Sequence, residues 1–398
     1  MQNNIKARLT SKNVRVLYLA WHEAAAGMLL EMVRCLQKNS HFKPSVCFVS
    51  GEEGYYGSEL RKLGVAVHTL SISSHDQVKN KYNLAQQFSA ALKLKRLLRN
   101  GGYDVVHLQE SVLPLIFLSV AASKKYFGRL VLHNRGEFMG PAISFVGWIR
   151  RKIKFFLYRQ LAIPLSDVIV VNSQFTKDIW GTSKGHEDKF TIIPNMIDQS
   201  QIARIYQDKD KYKRWIREEF KLPDNAFIIG VAARLVPIKR IELFLDVVAK
   251  LRKLNTPVYG LILGEGPEKQ PLQNHAVSLG ISGYVQFLGW QPAAKEILCG
   301  VDFSILPTQH EAFGIAALEA LSLGIPTAIF WDAGGMCELV EKSRQGFICG
   351  SVDDMVRLIH RYICENGQSF SSEGMEAELI QKVYSITNYM DALCGLYE

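Results

Sequence analysis

No stretch of this sequence stays apolar long enough to cross a bilayer. The longest such run, 112–122, contains Pro114 and Ser119 and falls well short of the ~20 residues that a spanning helix needs. A spanning helix is therefore not expected, which leaves open a place on a membrane surface. A cleavable leader is not expected either: Val14 to Trp21 follows a polar stretch, lacks a small-residue cleavage pattern and reads as a strand. The seven cysteines (Cys35, Cys47, Cys299, Cys337, Cys349, Cys364 and Cys394) are odd in number and scattered, and none stands in a C-x-x-C pair. That rules against a secreted disulfide scaffold and a cysteine-rich zinc site, and makes a reducing cytosol the simplest home. Tandem repeats and low-complexity tracts are missing as well, which excludes solenoids.

What is present is ordinary globular material: 398 residues, 48% hydrophobic and 21% charged, enough for two or three domains with their own cores. The charge is uneven. Residues 1–200 carry 27 basic and 14 acidic side chains, a net +13, whereas residues 201–398 carry 20 and 24, a net −4. A basic half suits an anionic lipid, a nucleic acid or a phosphorylated substrate.

Short, β-branched, continuously apolar runs alternate with amphipathic segments, as strands buried on both faces of a parallel sheet do. Strands are predicted at 14–20, 45–50, 65–70, 104–108, 129–133 and 167–172, with a helix over 27–38. Pro194 and Asn195 then stop regular structure, and a charged helix is predicted over 206–220. A second series has strands at 227–232, 258–263, 285–288, 303–306 and 327–330 and a helix over 241–254. Two such series mean two α/β/α domains.

Four features of the second half bear on chemistry. Arg234 and Lys239 lie on a loop between a buried strand and a helix. Ligands of open α/β sheets sit beyond the carboxyl ends of strands, and two fixed cations there suit a diphosphate. Taken alone, such a pair is more commonly two solvated loop cations. Gly264-Glu-Gly-Pro267 is a strand-end turn that allows close approach. His310-Glu311-Ala-Phe313-Gly314-Ile315 leads into a helix carrying Glu319. A helix N-terminus near Gly314 offers free N–H groups to an anion. Glu319 stands among Ala316, Ala317, Leu318, Ala320 and Leu321, so it needs a partner, and sugar hydroxyls are suitable ones. The fourth, Asp332-Ala-Gly334-Gly335-Met-Cys-Glu338, is a ligand-edge loop or a turn.

At these residues the sequence resembles the retaining glycosyltransferases of the GT-B fold, specifically the large bacterial family four. The carrying pattern is Glu311, seven residues, then Glu319; 193–198, 234–239, 264–267, 285–289 and 334–338 support it in the family's order. The resemblance implies two Rossmann-like α/β/α domains facing across a deep cleft: 1–198 for the acceptor, 199–380 for the nucleotide-sugar, and a C-terminal helix in 381–398 packing back towards the N-terminal domain. It implies that Arg234 and Lys239 bind the donor diphosphate and that Glu319 holds the ribose. Glu311 then lies near the donor sugar, with the amides around Phe313, Gly314 and Ile315 touching sugar and phosphate and Gln291 near the base. His133, by itself an ordinary strand-end core residue, matches the histidine beside the transferred sugar. Gly27 matches one of a glycine pair near the donor phosphate, and Ala26 replaces the other; Ala312 likewise replaces a common glycine.

The activity so implied is transfer of a hexose, with retention, from a nucleotide-sugar (a UDP-sugar by family frequency) to a sugar or lipid-linked sugar, in cell-surface polysaccharide assembly. The nucleotide-sugar is a co-substrate, no cofactor is expected, and no Asp-x-Asp pair stands in a loop after a strand to hold a metal. Other classes stay in view: a GT-B epimerase or phosphorylase-like enzyme, and a basic nucleic-acid-binding protein, for which no recognition motif is present. Nucleic acid is accordingly not an expected partner. The basic, aromatic-rich segment 145–161 reads evenly as a membrane-surface helix on the cytoplasmic face or as a domain helix with buried aromatics.

Overall fold

The computed structural model describes residues 13–21, 27–38, 41–50, 54–72, 84–109, 114–136, 152–153, 155–181, 185–365 and 380–398. The first unit runs β1 (Val14–Ala20), α1 (Gly27–Lys38), β2 (Phe42–Ser50), β3 (Ala66–Ile72), β4 (Val105–Gln109), β5 (Arg129–Asn134), β6 (Val168–Val171), α2 (Gln174–Gly181) and β7 (Phe190–Ile192). Helices α3 (Gln199–Gln207) and α4 (Lys209–Glu219) follow the connector. The second unit runs β8 (Phe227–Ala232), α5 (Ile241–Lys253), β9 (Val258–Leu263), β10 (Val285–Gly289), β11 (Phe303–Leu306), α6 (Ile315–Ser322), β12 (Thr327–Phe330), α7 (Gly335–Val340) and β13 (Gly346–Cys349). Helix α8 (Ile386–Gly395) ends the chain's regular structure.

The strands form two parallel sheets, a seven-stranded one ordered β3-β2-β1-β4-β5-β6-β7 and a six-stranded one ordered β10-β9-β8-β11-β12-β13. Both reverse direction beside their first strand, the doubly wound order whose crevice lies at that reversal. Three departures from the sequence reading have local causes. Strand β7 is only three residues long and runs straight into Pro194, so it reads as connector. Strand β13 shows only one buried residue among four, Cys349, so it lacks the apolar signal. The single predicted helix of 206–220 is two helices meeting at Asp208; the first starts earlier, capped by the Asp198 side chain accepting from Ser200 N and Gln201 N.

The first sheet has a core on each face. Leu17, Leu19, Val106, Leu108 and Leu132 point one way; Val14, Val16, Tyr18, Val105 and Val131 point the other. Alternation along the strands produces this, at about 1.5–3 kcal/mol for each large side chain buried. On the second face the core is completed by the C-terminal residues Tyr389, Met390, Leu393 and Tyr397. The chain end therefore packs on the domain that holds its beginning.

The two units touch at the carboxyl edges of their sheets. Ser173 Oγ donates to the Ala312 carbonyl at 2.6 Å. Gly136, at φ +103°, lies so close to Ala312 that a Cβ on it would come within 2.1 Å of the Ala312 Cβ. Glu338 accepts from Gln174 N and Phe175 N at 2.9 and 2.6 Å, so a carboxylate of α7 caps the N-terminus of α2. Between these contacts a cleft of about 860 Å³ opens.

Candidate functional site

The wall from the second unit is built from strand ends. After β8 the chain makes a tight turn at Pro237–Lys239, and Arg240 follows in the left-handed region at φ 48°. Arg240 holds that turn in place. Its Nε donates to the Pro307 carbonyl at 2.7 Å, and its two terminal nitrogens meet the two oxygens of Asp332 at 2.8 and 2.6 Å. A two-point guanidinium clamp thus ties the β8 loop to the ends of β11 and β12, and Lys239 is carried on the clamped turn. Lys239 Nζ meets Glu311 Oε2 at 2.5 Å. Glu311 is fixed from its own backbone: its N–H donates to the Ala333 carbonyl, and its carbonyl accepts from Gly335 N.

Gly314 is the N-cap of α6, at φ +89° and ψ +64°. A side chain there would strain the backbone and place a Cβ 2.6 Å from Met336 Cγ, so glycine is required. Glu319 projects from the middle of α6 to the cleft and pairs with Lys295 at 3.1 Å. Burial pushes its carboxyl above the ordinary range, and the Lys295 ammonium pulls it back. Lys295 also donates to Gln201 Oε1 at 3.0 Å, which roots the pair in α3.

The structure brings Lys239, Glu311, Phe313, Gly314, Ile315 and Glu319 together on this cleft. The other four expected residues stand apart from its lining. Arg234 is exposed in the loop that follows β8. Gln291 donates to the Leu288 carbonyl at 2.7 Å, a local turn bond. Gly27 opens α1, whose next residue, Met28, does line the cleft. His133 departs furthest from expectation. It is fully buried beneath the cleft, with Nδ1 3.3 Å from His107 Nε2 and Nε2 without a hydrogen-bond partner. From His107 the chain of contacts continues, Nδ1 to the Tyr397 hydroxyl at 2.6 Å and that hydroxyl to Tyr18 at 2.8 Å. Burial pushes His133 well below its ordinary range, with the Arg135 and His107 charges adding to it; burial and Arg135 push His107 down to about 3. Both imidazoles are neutral at pH 7.

Several cleft residues carried no sequence signal of their own. Lys295 lies on an unremarkable helix. Asn195 belongs to a connector that supported the resemblance without being singled out itself, and it is 3% exposed, lines the cleft and has an unpartnered Oδ1. Arg135 stands two residues past His133, just beyond the end of β5, and lines the opposite wall. Its place just beyond a strand end was the one available clue. Among the described residues, no three His, Cys, Asp or Glu side chains gather as metal ligands. Ala26 and residues 137–151, which include the start of the basic aromatic segment, lie outside the described residues.

Residues 28–201 match the family described as Glycosyltransferase Family 4, and residues 200–372 match Glycosyl transferases group 1. Among curated proteins, the N-acetyl-alpha-D-glucosaminyl L-malate synthase of Bacillus anthracis is 25% identical over 386 residues, covering 87% of this chain and 96% of that protein. The O-antigen biosynthesis glycosyltransferase WclY of Escherichia coli is 30% identical over 138 residues, 35% of this chain and 36% of that one. Among solved structures, Anabaena Alr3699/HepE in complex with UDP and glucose superposes with a TM-score of 0.75 at 18% identity, over 96% of this chain and 98% of that one.

Proposed function

We propose, for a chain whose two matched halves make it a glycosyltransferase of the GT-B fold, that it moves a hexose from a UDP-sugar to a sugar or lipid-linked sugar acceptor with retention of anomeric configuration. The observation that carries this reading is the pair of carboxylates Glu311 and Glu319, set on one cleft wall and each locked to its own lysine. A nucleotide-sugar offers what such a wall lacks: hydroxyls for the carboxylates and phosphate oxygens for the cations.

In this reading Glu319 takes the ribose hydroxyls and Glu311 positions the donor sugar. Lys239, with Arg234 swinging in from the rim, and the free N–H groups at the start of α6 receive the diphosphate. Departure of the nucleoside diphosphate breaks the bond from the anomeric carbon to the β-phosphate oxygen and leaves negative charge there, which these groups stabilise without a metal. The acceptor oxygen bonds to the anomeric carbon from the same face, and its proton passes to the departing phosphate oxygen. His133, under the floor, supports the sugar pocket from below.

A place in cell-surface polysaccharide assembly agrees with the O-antigen relative, and an acceptor held in lipid would bring the enzyme to the cytoplasmic face of a membrane. The described part of the basic aromatic segment fits such contact. Phe155 and Tyr158 stack inward on Trp180, while Ile153 and Phe156 are exposed beside Lys152 and Arg159. The test is donor turnover with UDP-glucose in excess chelator. Full turnover supports metal-free transfer, and a strict metal requirement overturns it. Glu319→Ala should raise the UDP dissociation constant; unchanged UDP affinity would remove the ribose role.

A further inference from the structure

Arg135 is a half-buried cation in neutral surroundings. Its loop is pinned: Gly136 N donates to Asn134 Oδ1 at 2.9 Å, Asn172 Nδ2 donates to the Arg135 carbonyl at 3.4 Å, and Gly136 is pressed on Ala312. The guanidinium turns towards α1 and α8. There it meets Met32 Sδ at 3.5 Å and the Tyr389 hydroxyl. Its Nε is buried with no partner, and among the described residues no carboxylate pairs with it. Two acids of the cleft lining, Glu31 and Asp198, are already engaged, the first with Arg34 at 2.6 Å and the second with the N-terminus of α3. A guanidinium withdrawn from water without a counter-ion is costly, and sulfur and phenol are weak recompense. Asn195, which also lines the cleft, presents a second unsatisfied atom, an acceptor.

On the facing wall Lys239 and Lys295 each hold a carboxylate, so an arriving anion has a competitor there. At Arg135, among the described residues, it has none. Resting on the transferase reading of the cleft, we infer that the acceptor carries an oxyanion, a carboxylate or a phosphate, gripped by Arg135, with Asn195 Oδ1 accepting a neighbouring hydroxyl. The planar fork of arginine suits both anions and gives two parallel hydrogen bonds where lysine gives one point of charge.

The experiment titrates the whole protein, with and without saturating UDP, with D-glucuronate, inorganic phosphate and neutral D-glucose, read by ligand-observed NMR. UDP occupies the diphosphate seat, so an anion that still binds is held elsewhere. Binding of glucuronate or phosphate to the UDP-loaded protein, at least tenfold tighter than glucose and lost at least tenfold in Arg135→Gln, is the expected result. The anion that binds tells carboxylate from phosphate. Arg135→Lys, which keeps the charge in case the glutamine variant fails to fold, should retain weaker binding. Equal binding of the anions and glucose, or anion binding that both variants leave unchanged, overturns the inference and leaves the transferase reading standing. If UDP itself does not bind, that reading fails separately, and the Arg135 comparison on the unloaded protein still decides whether this residue holds an oxyanion.

Discussion

The two walls of the cleft differ in their buried polar groups: both hold ion pairs, Arg34 with Glu31 on the first-sheet side among them, but only the first-sheet wall adds buried atoms without partners among the described residues. On the wall built by β8, β11 and β12, charges come in closed pairs: Lys239 with Glu311, Arg240 with Asp332, Lys295 with Glu319. On the wall built by the first sheet, Arg135 Nε, Asn195 Oδ1, His133 Nε2 and both side-chain polar atoms of Gln109 are buried with no hydrogen-bond partner among the described residues. Paired charges hold their geometry in an empty cleft, and each member can be exchanged for a ligand group of like character. Unpaired groups have no such reserve and gain most when a ligand arrives. In the proposed reading the first wall takes the donor and the second the acceptor.

Breaking a pair on the first wall should have the largest effect. Lys239→Ala strands Glu311 and, in the proposed reading, removes a cation from the developing phosphate charge. A fall in kcat/KM of about 10²–10³-fold is expected, the range for losing one preorganised group of this kind. The double variant Lys239→Ala with Glu311→Ala should regain thermal stability relative to the single one without regaining turnover. A loss below tenfold in the single variant would make the pair structural and dissolve the contrast between the walls.

The second wall should instead declare itself through pH. His107 and His133 are neutral when folded and refuse a proton that the unfolded chain accepts near pH 6.5. Their stabilising effect is complete above that value. It is lost as pH falls, at about 1.4 kcal/mol per pH unit for each histidine once the unfolded chain is protonated. Because the folded His107 titrates only at about 3, the loss continues through the mildly acidic range. Urea midpoints between pH 7 and 5 should fall accordingly, and His107→Gln should flatten the slope. A pH-independent midpoint would mean that these imidazoles reach water.

The contrast also explains what could be read in advance. Eleven of the thirteen strands, the two parallel sheets and the Glu311–Glu319 stretch were legible because each depends on local signals: apolar runs, a required glycine at 314, a carboxylate among alanines and leucines. The second wall depends on residues far apart in the chain. Tyr397 meets His107 across 290 positions, and Tyr18 across 379. No local pattern announces that a C-terminal tyrosine will close over His107; His133, by itself readable as a core histidine, is indeed fully buried, and its place beside the sugar was implied only by the resemblance. Charge alone likewise does not tell that Arg240, rather than Arg234, clamps the loop after β8; the clamp partner Asp332 is 92 residues away.

The smallest expected effect concerns the seam between the walls. Glu338 reaches from α7 to cap α2, accepting from two backbone N–H groups, so it acts as an N-cap carboxylate supplied by the other unit. Side-chain caps and charges at helix N-termini contribute about 0.5–2 kcal/mol. Glu338→Ala should therefore lower Tm by only a few degrees. Its more telling consequence is positional. With the cap gone, Ser173 to the Ala312 carbonyl and the Gly136–Ala312 contact still join the units, so the cleft should loosen without coming apart. The donor should then bind nearly as before, since its wall is self-contained, while KM for the acceptor rises, since acceptor groups must reach the transferred sugar across the seam. Small-angle scattering should show a slightly larger radius of gyration that UDP alone does not reverse. A variant with unchanged acceptor KM and unchanged scattering would show that the two walls are held in register by the alanine contact alone.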